Sequence, residues 1–412
     1  MKFLPDDDPE LAGIIREEES RIENTLDLIA AENHPPPSIL QAQGSVFTLK
    51  AAEGYPGNRF HAGCQYVDEL ERLAVQRAKT LFGADHANVQ PHSGVSANLA
   101  VYFSVLQIGD RILSMKLAHG GHLSHGDAAS ITSKCFEFEH YGVQDQSECI
   151  DYDEVHHLAE RFKPRMIVAG ASSYPRLIDY ERFAQIAESV SSYLLVDMAH
   201  IAGLVAAGVI PSPVPHADFV TFTTYKTLRG GRGGVILCKK EHAAKLDKTI
   251  FPGGQGTTAF NIMAAKAVCF KLAMQSAFKD VQTKTLVNAA CFAAEFEKRG
   301  YRIVSGGTDN HLILVDLRPK GLTGDVAEKV LESVGIIVNR NVIPNDPEKP
   351  DIASGIRIGS PAITSRGMEK SEVIKIVELI DTALMNRENK KPLSQISTEV
   401  LSLCKKYPIT KE

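Results

Sequence analysis

The sequence has no run of about 18 apolar residues, the length a helix needs to cross a bilayer, so no membrane span is expected. Its start, Met1-Lys2-Phe3-Leu4-Pro5-Asp6-Asp7-Asp8, lacks the apolar core of a secretory signal. It has little excess charge. The formal net of -5 leaves no basic footprint, which excludes nucleic acid and anionic membrane as natural partners. Cysteine is sparse and dispersed: residues 64, 135, 149, 238, 269, 291 and 404 show no CxxC spacing. That argues against a zinc site or a disulfide frame and for reduced thiols in the cytoplasm. Internal repeats and low-complexity segments are also missing.

What remains is ordinary globular material, 44% apolar and 23% charged. At 412 residues the chain can bury one large core and a second, smaller one. Residues from about Asp8 to Ala30 read as a helix, with Leu11, Ile14, Ile15, Ile22, Leu26 and Ile29 on one face, and Pro35-Pro36-Pro37 ends whatever precedes it. Beyond that point short apolar runs alternate with amphipathic stretches. Met166-Ile167-Val168-Ala169, Tyr193 to Val196, Phe219 to Thr223 and Gly234 to Leu237 read as buried strands. Asp68 to Leu81, Asp179 to Val190 and Ala259 to Gln275 read as helices. This alternation predicts an α/β fold with a mainly parallel sheet covered on both faces. Strands at Arg302 to Ser305, His311 to Leu317 and Gly355 to Gly359 belong to a smaller α+β unit, reached through a long helical stretch from Asn261 to Lys298. The division expected is an N-terminal helical arm (1–40), a large domain (41–275) and a small C-terminal domain (276–412). A surface helix follows Asn386.

The stretch Thr223-Thr224-Tyr225-Lys226-Thr227-Leu228-Arg229-Gly230-Gly231-Arg232-Gly233-Gly234 carries the strongest chemical signal. A lysine just past a strand, among small hydroxylated residues and glycines, is suited to hold an aldehyde as a Schiff base, because desolvation or a nearby cation lowers its amine pKa. Pyridoxal phosphate is the usual aldehyde and needs a carboxylate for its ring nitrogen. Asp197, ending the apolar run Tyr193-Leu194-Leu195-Val196, is placed to provide it, although a helix N-cap is its bland alternative. His200 either touches the ring substituents or is a structural histidine. Pro91-His92-Ser93-Gly94-Val95 precedes a helical stretch and leaves backbone N–H groups free for a phosphate, with Phe251-Pro252-Gly253-Gly254-Gln255-Gly256 as a second turn that could reach it.

Leu117-Ala118-His119-Gly120-Gly121-His122-Leu123-Ser124-His125 packs three histidines into seven residues. Zinc ligation competes here with one imidazole stacked on a cofactor, and the glycines favour stacking. Arg357 lies within an apolar strand and needs a carboxylate, either a substrate's or a structural one. Glu53, in the loop Glu53-Gly54-Tyr55-Pro56-Gly57, is either an acid–base group or an exposed glutamate.

With these residues laid out, the chain resembles the serine hydroxymethyltransferase family, pyridoxal phosphate enzymes of the aspartate aminotransferase fold class (fold type I), from about residue 10 to 385. The motifs carrying the likeness include Ala52-Glu53-Gly54-Tyr55-Pro56-Gly57, Asn88 to Gly94, Val196 to Gly203, Ser305 to His311 and Pro344-Asn345-Asp346-Pro347. The resemblance implies that Lys226 bears the cofactor, Asp197 pairs with its ring nitrogen and His122 stacks on the ring. It also implies that His200, Ser172 and Thr223 line the cofactor. Ser93, Gly94 and Val95 match the phosphate side, as does Gly256, given across a homodimer interface. Arg357 matches the arginine for the amino-acid carboxylate, and Glu53 the acid–base group supplied by the neighbouring subunit. Leu117, Gly121, Leu123, Phe251 and Asn345 match positions that hold tetrahydrofolate.

Departures from the family pattern cluster around these positions. Tyr225 stands where the family has histidine, Ala31 where it has serine, and Ala51 where it has tyrosine. The usual Arg-Tyr-Tyr-Gly-Gly is Arg59-Phe60-His61-Ala62-Gly63, Val95 replaces a phosphate-side serine, and Thr257 a glycine. Ala31 and Ala51 are expected to open volume near the reacting carbon, so the implied activity is one-carbon transfer from serine or α-methylserine to tetrahydrofolate. The alternative is a folate-independent aldolase or transaldolase for threonine-like amino acids, with His61 and Tyr225 as acid–base groups. A third possibility, an inactive interaction subunit, is disfavoured by the retention of Lys226, Asp197, Arg357 and Glu53.

Overall fold

The computed structural model describes residues 4–409. Its centre is a seven-stranded sheet in the order His86–Asn88, Gly234–Cys238, Phe219–Thr223, Tyr193–Asp197, Met166–Ala169, Arg111–Met115 and Glu137–Tyr141. Only Gly234–Cys238 runs antiparallel to its neighbours. The two faces divide by the alternation of each strand. Leu113, Ile167, Val196, Val220 and Val235 enter one core, while Ile112, Met166, Val168, Leu195, Phe219 and Ile236 enter another. Burial on both faces is why these strands read as unbroken apolar runs.

The covering helices follow their sequence signals. Gln65–Phe82 buries Val67, Leu70, Ala74, Ala78 and Phe82, a stripe at helical spacing. Tyr180–Ser189 starts at Asp179, whose carboxylate accepts the Arg182 N–H at 2.9 Å as an N-cap. A second, antiparallel sheet is ordered Arg302–Ile303, Leu312–Asp316, Gly355–Gly359 and Asn339–Asn341. It builds a separate core with helices Ser276–Lys298, Gly324–Ser333 and Lys370–Met385.

Three readings differ in detail. The first long helix is Pro9–Asn24 and stops well short of Ala30. Leu26 and Leu28 are fully buried at alternate positions, a period of two, and Leu26–Asp27 pairs parallel with Ile336–Ile337. The stretch from Asn261 to Lys298 is two helices, Phe260–Ala273 and Ser276–Lys298. The tail helix Lys390–Lys406 is more than a surface element, because Ile396, Val400 and Cys404 are buried. Arg366 ties this helix to the first: its guanidinium donates to the carbonyls of Glu23, Thr25, Cys404 and Tyr407 at 2.7–3.2 Å. All seven cysteines are free, and no described helix is long and apolar enough to cross a membrane.

Candidate active site

The carboxyl ends of five strands of the large sheet converge on one cavity. Ligands of open parallel sheets gather at this edge. Ser93, Gly94 and Val95 come from the segment after His86–Asn88, and His122 from the loop after Arg111–Met115. Ser172 follows Met166–Ala169, Asp197 ends Tyr193–Asp197, and Thr223, Tyr225 and Lys226 end and follow Phe219–Thr223. Close approach of two of these loops needs a glycine: Gly170 has φ +131°, and a Cβ there would meet the Asp197 carbonyl oxygen at 2.2 Å.

The lysine loop is held rigidly. The Thr224 hydroxyl donates to the Gly231 carbonyl at 2.5 Å, and the Thr227 hydroxyl donates to the His200 carbonyl at 2.8 Å while accepting the Gly203 N–H at 2.9 Å. Lys226 is 7% exposed and its ammonium hydrogen-bonds to no described residue. Burial pulls its pKa down to about 8, aided by Arg357 and Arg232 and opposed by Asp197. A fraction of the amine is therefore unprotonated at neutral pH, as a nucleophile requires.

Asp197 is fixed by three donors: Asn98 Nδ2 at 2.8 Å, His125 Nε2 at 3.1 Å and the Ala199 N–H at 3.0 Å. Burial alone would raise this carboxyl. The hydrogen bonds from His125 and Asn98, with the imidazoles nearby, outweigh it and hold the group below the usual carboxylate range. Thr221 in turn donates to Asn98 Oδ1 at 2.6 Å. Asn98, His125 and Thr221 escaped the sequence reading. His125 lay inside a stretch already singled out and Asn98 in the helical stretch that follows Val95, but nothing in their spacing told which carboxylate they face.

His122 Nδ1 accepts from the Ser124 N–H at 3.2 Å and lies 2.8 Å from the Ser124 hydroxyl, and burial lowers its pKa to about 4. It is a neutral, oriented ring. His119 sits apart, accepting the Val143 N–H at 3.0 Å. The third histidine of the cluster is thus the carboxylate's partner. His122, His125 and Asp197 do place one ligand atom each within 4.8 Å of one another. His122 Nδ1, His125 Nε2 and Asp197 Oδ2 each take part in the hydrogen bonds just described. His200 is buried and stacked on His311 at 5.5 Å, its pKa driven well below the ordinary value by burial and by Lys226 and Arg357.

Arg357 donates from Nε to Asn339 Oδ1 at 3.1 Å and from Nη1 to the Ser172 carbonyl at 2.7 Å. No described carboxylate pairs with it, and burial lowers its pKa to about 10. Of the two carboxylates the sequence left open, the structural one is absent among the described residues. On the neighbouring residues Gly359 is pressed against Ala30, whose Cα would lie 2.4 Å from an added Cβ, and Leu28 accepts the Gly359 N–H at 2.7 Å. The stretch preceding Ala31 is thereby brought to the strand that carries Arg357.

Other expected residues stand elsewhere. Glu53 is half-buried, its N–H near His61 Nδ1 at 3.3 Å, and its Oε1 would lie 3.2 Å from a Cβ on Gly256. Phe251 packs edge-on to the exposed Phe60 at 5.6 Å. Glu53, His61, Phe251 and Gly256 thus form a patch that does not line the cavity of a single chain. Neither Ala31 nor Ala51 lines it, and Ala51 is exposed. The volume expected from these two alanines is not part of this chain's own cavity. Leu117 and Leu123 are 47% and 55% exposed on either side of His122, with Gly121 buried between them. Asn345, in the left-handed region, bonds Asp145 at 2.9 Å.

Pyridoxal phosphate fits this donor set: a lysine with no partner and a lowered pKa, a buried carboxylate fixed in the same cavity, a neutral imidazole, and an arginine without a counter-ion. Fold and site together define a fold-type I pyridoxal phosphate transferase. The family model described as serine hydroxymethyltransferase matches residues 4–380, and the chain belongs to that family. Pyridoxal phosphate-dependent hydroxymethyl transfer is the chemistry the family supports.

Proposed function

We propose that the protein moves a one-carbon unit reversibly between a β-hydroxy amino acid, serine or α-methylserine, and tetrahydrofolate, as a cytoplasmic homodimer. The observation that carries this reading is Arg357, a largely buried guanidinium with no described carboxylate partner, whose charge acts on Lys226. A substrate α-carboxylate would complete it bidentately. Arg357 then orients the amino acid, and the Lys226 amine is free to act as nucleophile and proton carrier. Asp197, kept ionised, favours a protonated partner within the cavity. His122 offers a flat neutral face for an aromatic ring. Bound pyridoxal phosphate would supply the electron sink for the charge left when a carbon–carbon bond of the amino acid breaks.

Glu53 would move protons at the transferred carbon from the neighbouring subunit, since within one chain it stands outside the cavity with Gly256. Leu117 and Leu123, exposed beside His122, offer an apolar seat for the folate rings, with Phe251 and Asn345 as further contacts. Rates measured with serine and α-methylserine, each with and without tetrahydrofolate, test the reading. Equal rates in the absence of folate would sink it. A second reading, folate-independent aldol cleavage of threonine-like amino acids, is favoured by Tyr225, which lines the cavity with Arg232 over its ring at 4.4 Å. It predicts acetaldehyde release from threonine faster than one-carbon transfer from serine.

A further inference from the structure

Lys266, on the helix Phe260–Ala273, is 2% exposed. Its Nζ donates to three main-chain carbonyls, Val89 at 2.7 Å, Gly234 at 2.9 Å and Pro91 at 3.0 Å. All three partners only accept, so three N–H donors are required and the group is the ammonium ion. No described carboxylate forms an ion pair with it. Glu71, the one acid whose charge it feels, is taken by Arg59 at 2.5 Å and Gln90 at 2.8 Å. A buried cation without a counter-ion is costly, and burial lowers its pKa, so the three accepting carbonyls are what hold the charged form.

Its position suggests what offsets that cost. Val89 and Pro91 belong to the segment that leads into Ser93, and Gly234 donates its own N–H back to Pro91 at 3.0 Å. Ser93 then caps the helix Gly94–Val105, its hydroxyl accepting the Ser96 N–H at 3.1 Å. The two glycines that close the Lys226 loop make room for this arrangement. A Cβ on Gly233 would lie 2.3 Å from Lys266 Cε, and one on Gly234 would lie 2.1 Å from the Ser93 carbonyl oxygen. Ser93, Gly94, Val95 and Thr223 form this end of the cavity, and none is cationic. A phosphate monoester carries about -1.5 to -2 charges at neutral pH.

We propose that Lys266 is a positioning residue for the cofactor's phosphate, clamping the turn before Ser93 from behind and setting a buried positive charge on the protein side of that turn. The proposal rests on reading the cavity as a pyridoxal phosphate site. A purely structural tie would weaken every ligand of the cavity alike, whereas a phosphate-directed charge discriminates between pyridoxal phosphate and pyridoxal.

The test is the dissociation constant of each, measured by absorbance titration on the apo-protein, for the unmodified chain, Lys266→Met, Lys266→Arg and Gly233→Ala. Lys266→Met and Gly233→Ala are expected to weaken pyridoxal phosphate by tenfold or more and pyridoxal by less than twofold, while Lys266→Arg keeps most of the preference. Should Lys266→Met fail to fold, the other two variants carry the same comparison. Equal weakening of both ligands, no weakening of either, or a loss in Lys266→Arg as large as in Lys266→Met overturns the proposal. Failure of the unmodified protein to take up pyridoxal phosphate removes the cofactor reading itself, a separate result.

Discussion

The cavity around Lys226 and the patch around Glu53 differ in how finished they are. In the cavity, Asp197 has three donors, His122 Nδ1 is engaged by Ser124, and the lysine loop is locked by Thr224 and Thr227. Lys226 lines the cavity and Arg357 reaches it through the carbonyl of Ser172, and neither has a described carboxylate as a hydrogen-bonded partner, which is what a ligand would engage. In the patch, Phe60 is 75% exposed, His61 and Gly256 are exposed, and Glu53 is fixed only loosely by main-chain contacts. One region is preorganised by its own chain; the other leaves its polar groups at the surface. In the proposed homodimer a second copy of this chain would cover such a surface.

Removing the finished half should have the largest effect. Lys226→Ala is expected to abolish the visible absorbance of bound cofactor and to lower turnover on the order of a thousandfold or more. Absorbance retained at the wild-type level would show that the cavity does not work through this amine. Next in size, Arg357→Gln should raise the KM for the amino acid and cost about 3 kcal/mol, roughly a hundredfold in kcat/KM, because it removes one partner of a desolvated ion pair. Unchanged KM with a fallen kcat would instead assign Arg357 to the chemistry.

The comparison itself is tested by mixing. Lys226→Ala and Glu53→Gln chains, each inactive alone, should regain about a quarter of the activity when co-folded, as random pairing of symmetric dimers requires if sites are shared. Persistent inactivity in demonstrably mixed dimers would place Glu53 outside the reaction. A smaller effect is the pH response. Because the Lys226 amine reacts unprotonated, uptake of pyridoxal phosphate by apo-protein should accelerate about tenfold per pH unit below its pKa near 8 and level off above it. Arg357→Gln removes a charge that depresses this pKa, so stopped-flow profiles should move their midpoint upward. Least of all, Ala31→Ser should shift the ratio of serine to α-methylserine turnover by only a few-fold, since Ala31 stands outside the cavity of its own chain.

Much of this was legible from residues alone. Buried strands announced themselves because a sheet covered on both faces admits only apolar runs, and Asp197 and Lys226 sat at strand ends where such sheets collect ligands. The partner of Asp197 was not legible: His125 stood in plain view among three histidines, but only the folded loop turns it, and not His119, onto the carboxylate. Leu26 to Ile29 misled because alternating leucines after a good helix also satisfy part of a helical stripe, and only the pairing with Ile336–Ile337 breaks the tie. Lys266 carried no signal whatever in sequence, since a lysine in an alanine-rich helix reads as a solvated charge.

The guanidinium of Arg366 gathers carbonyls from Glu23 and Thr25 and from Cys404 and Tyr407. During synthesis the helix Pro9–Asn24 emerges early yet has its docking surface among the last residues made. The tie that Arg366 makes between the two ends therefore closes only once residues up to Tyr407 are made, after every strand of the large sheet exists.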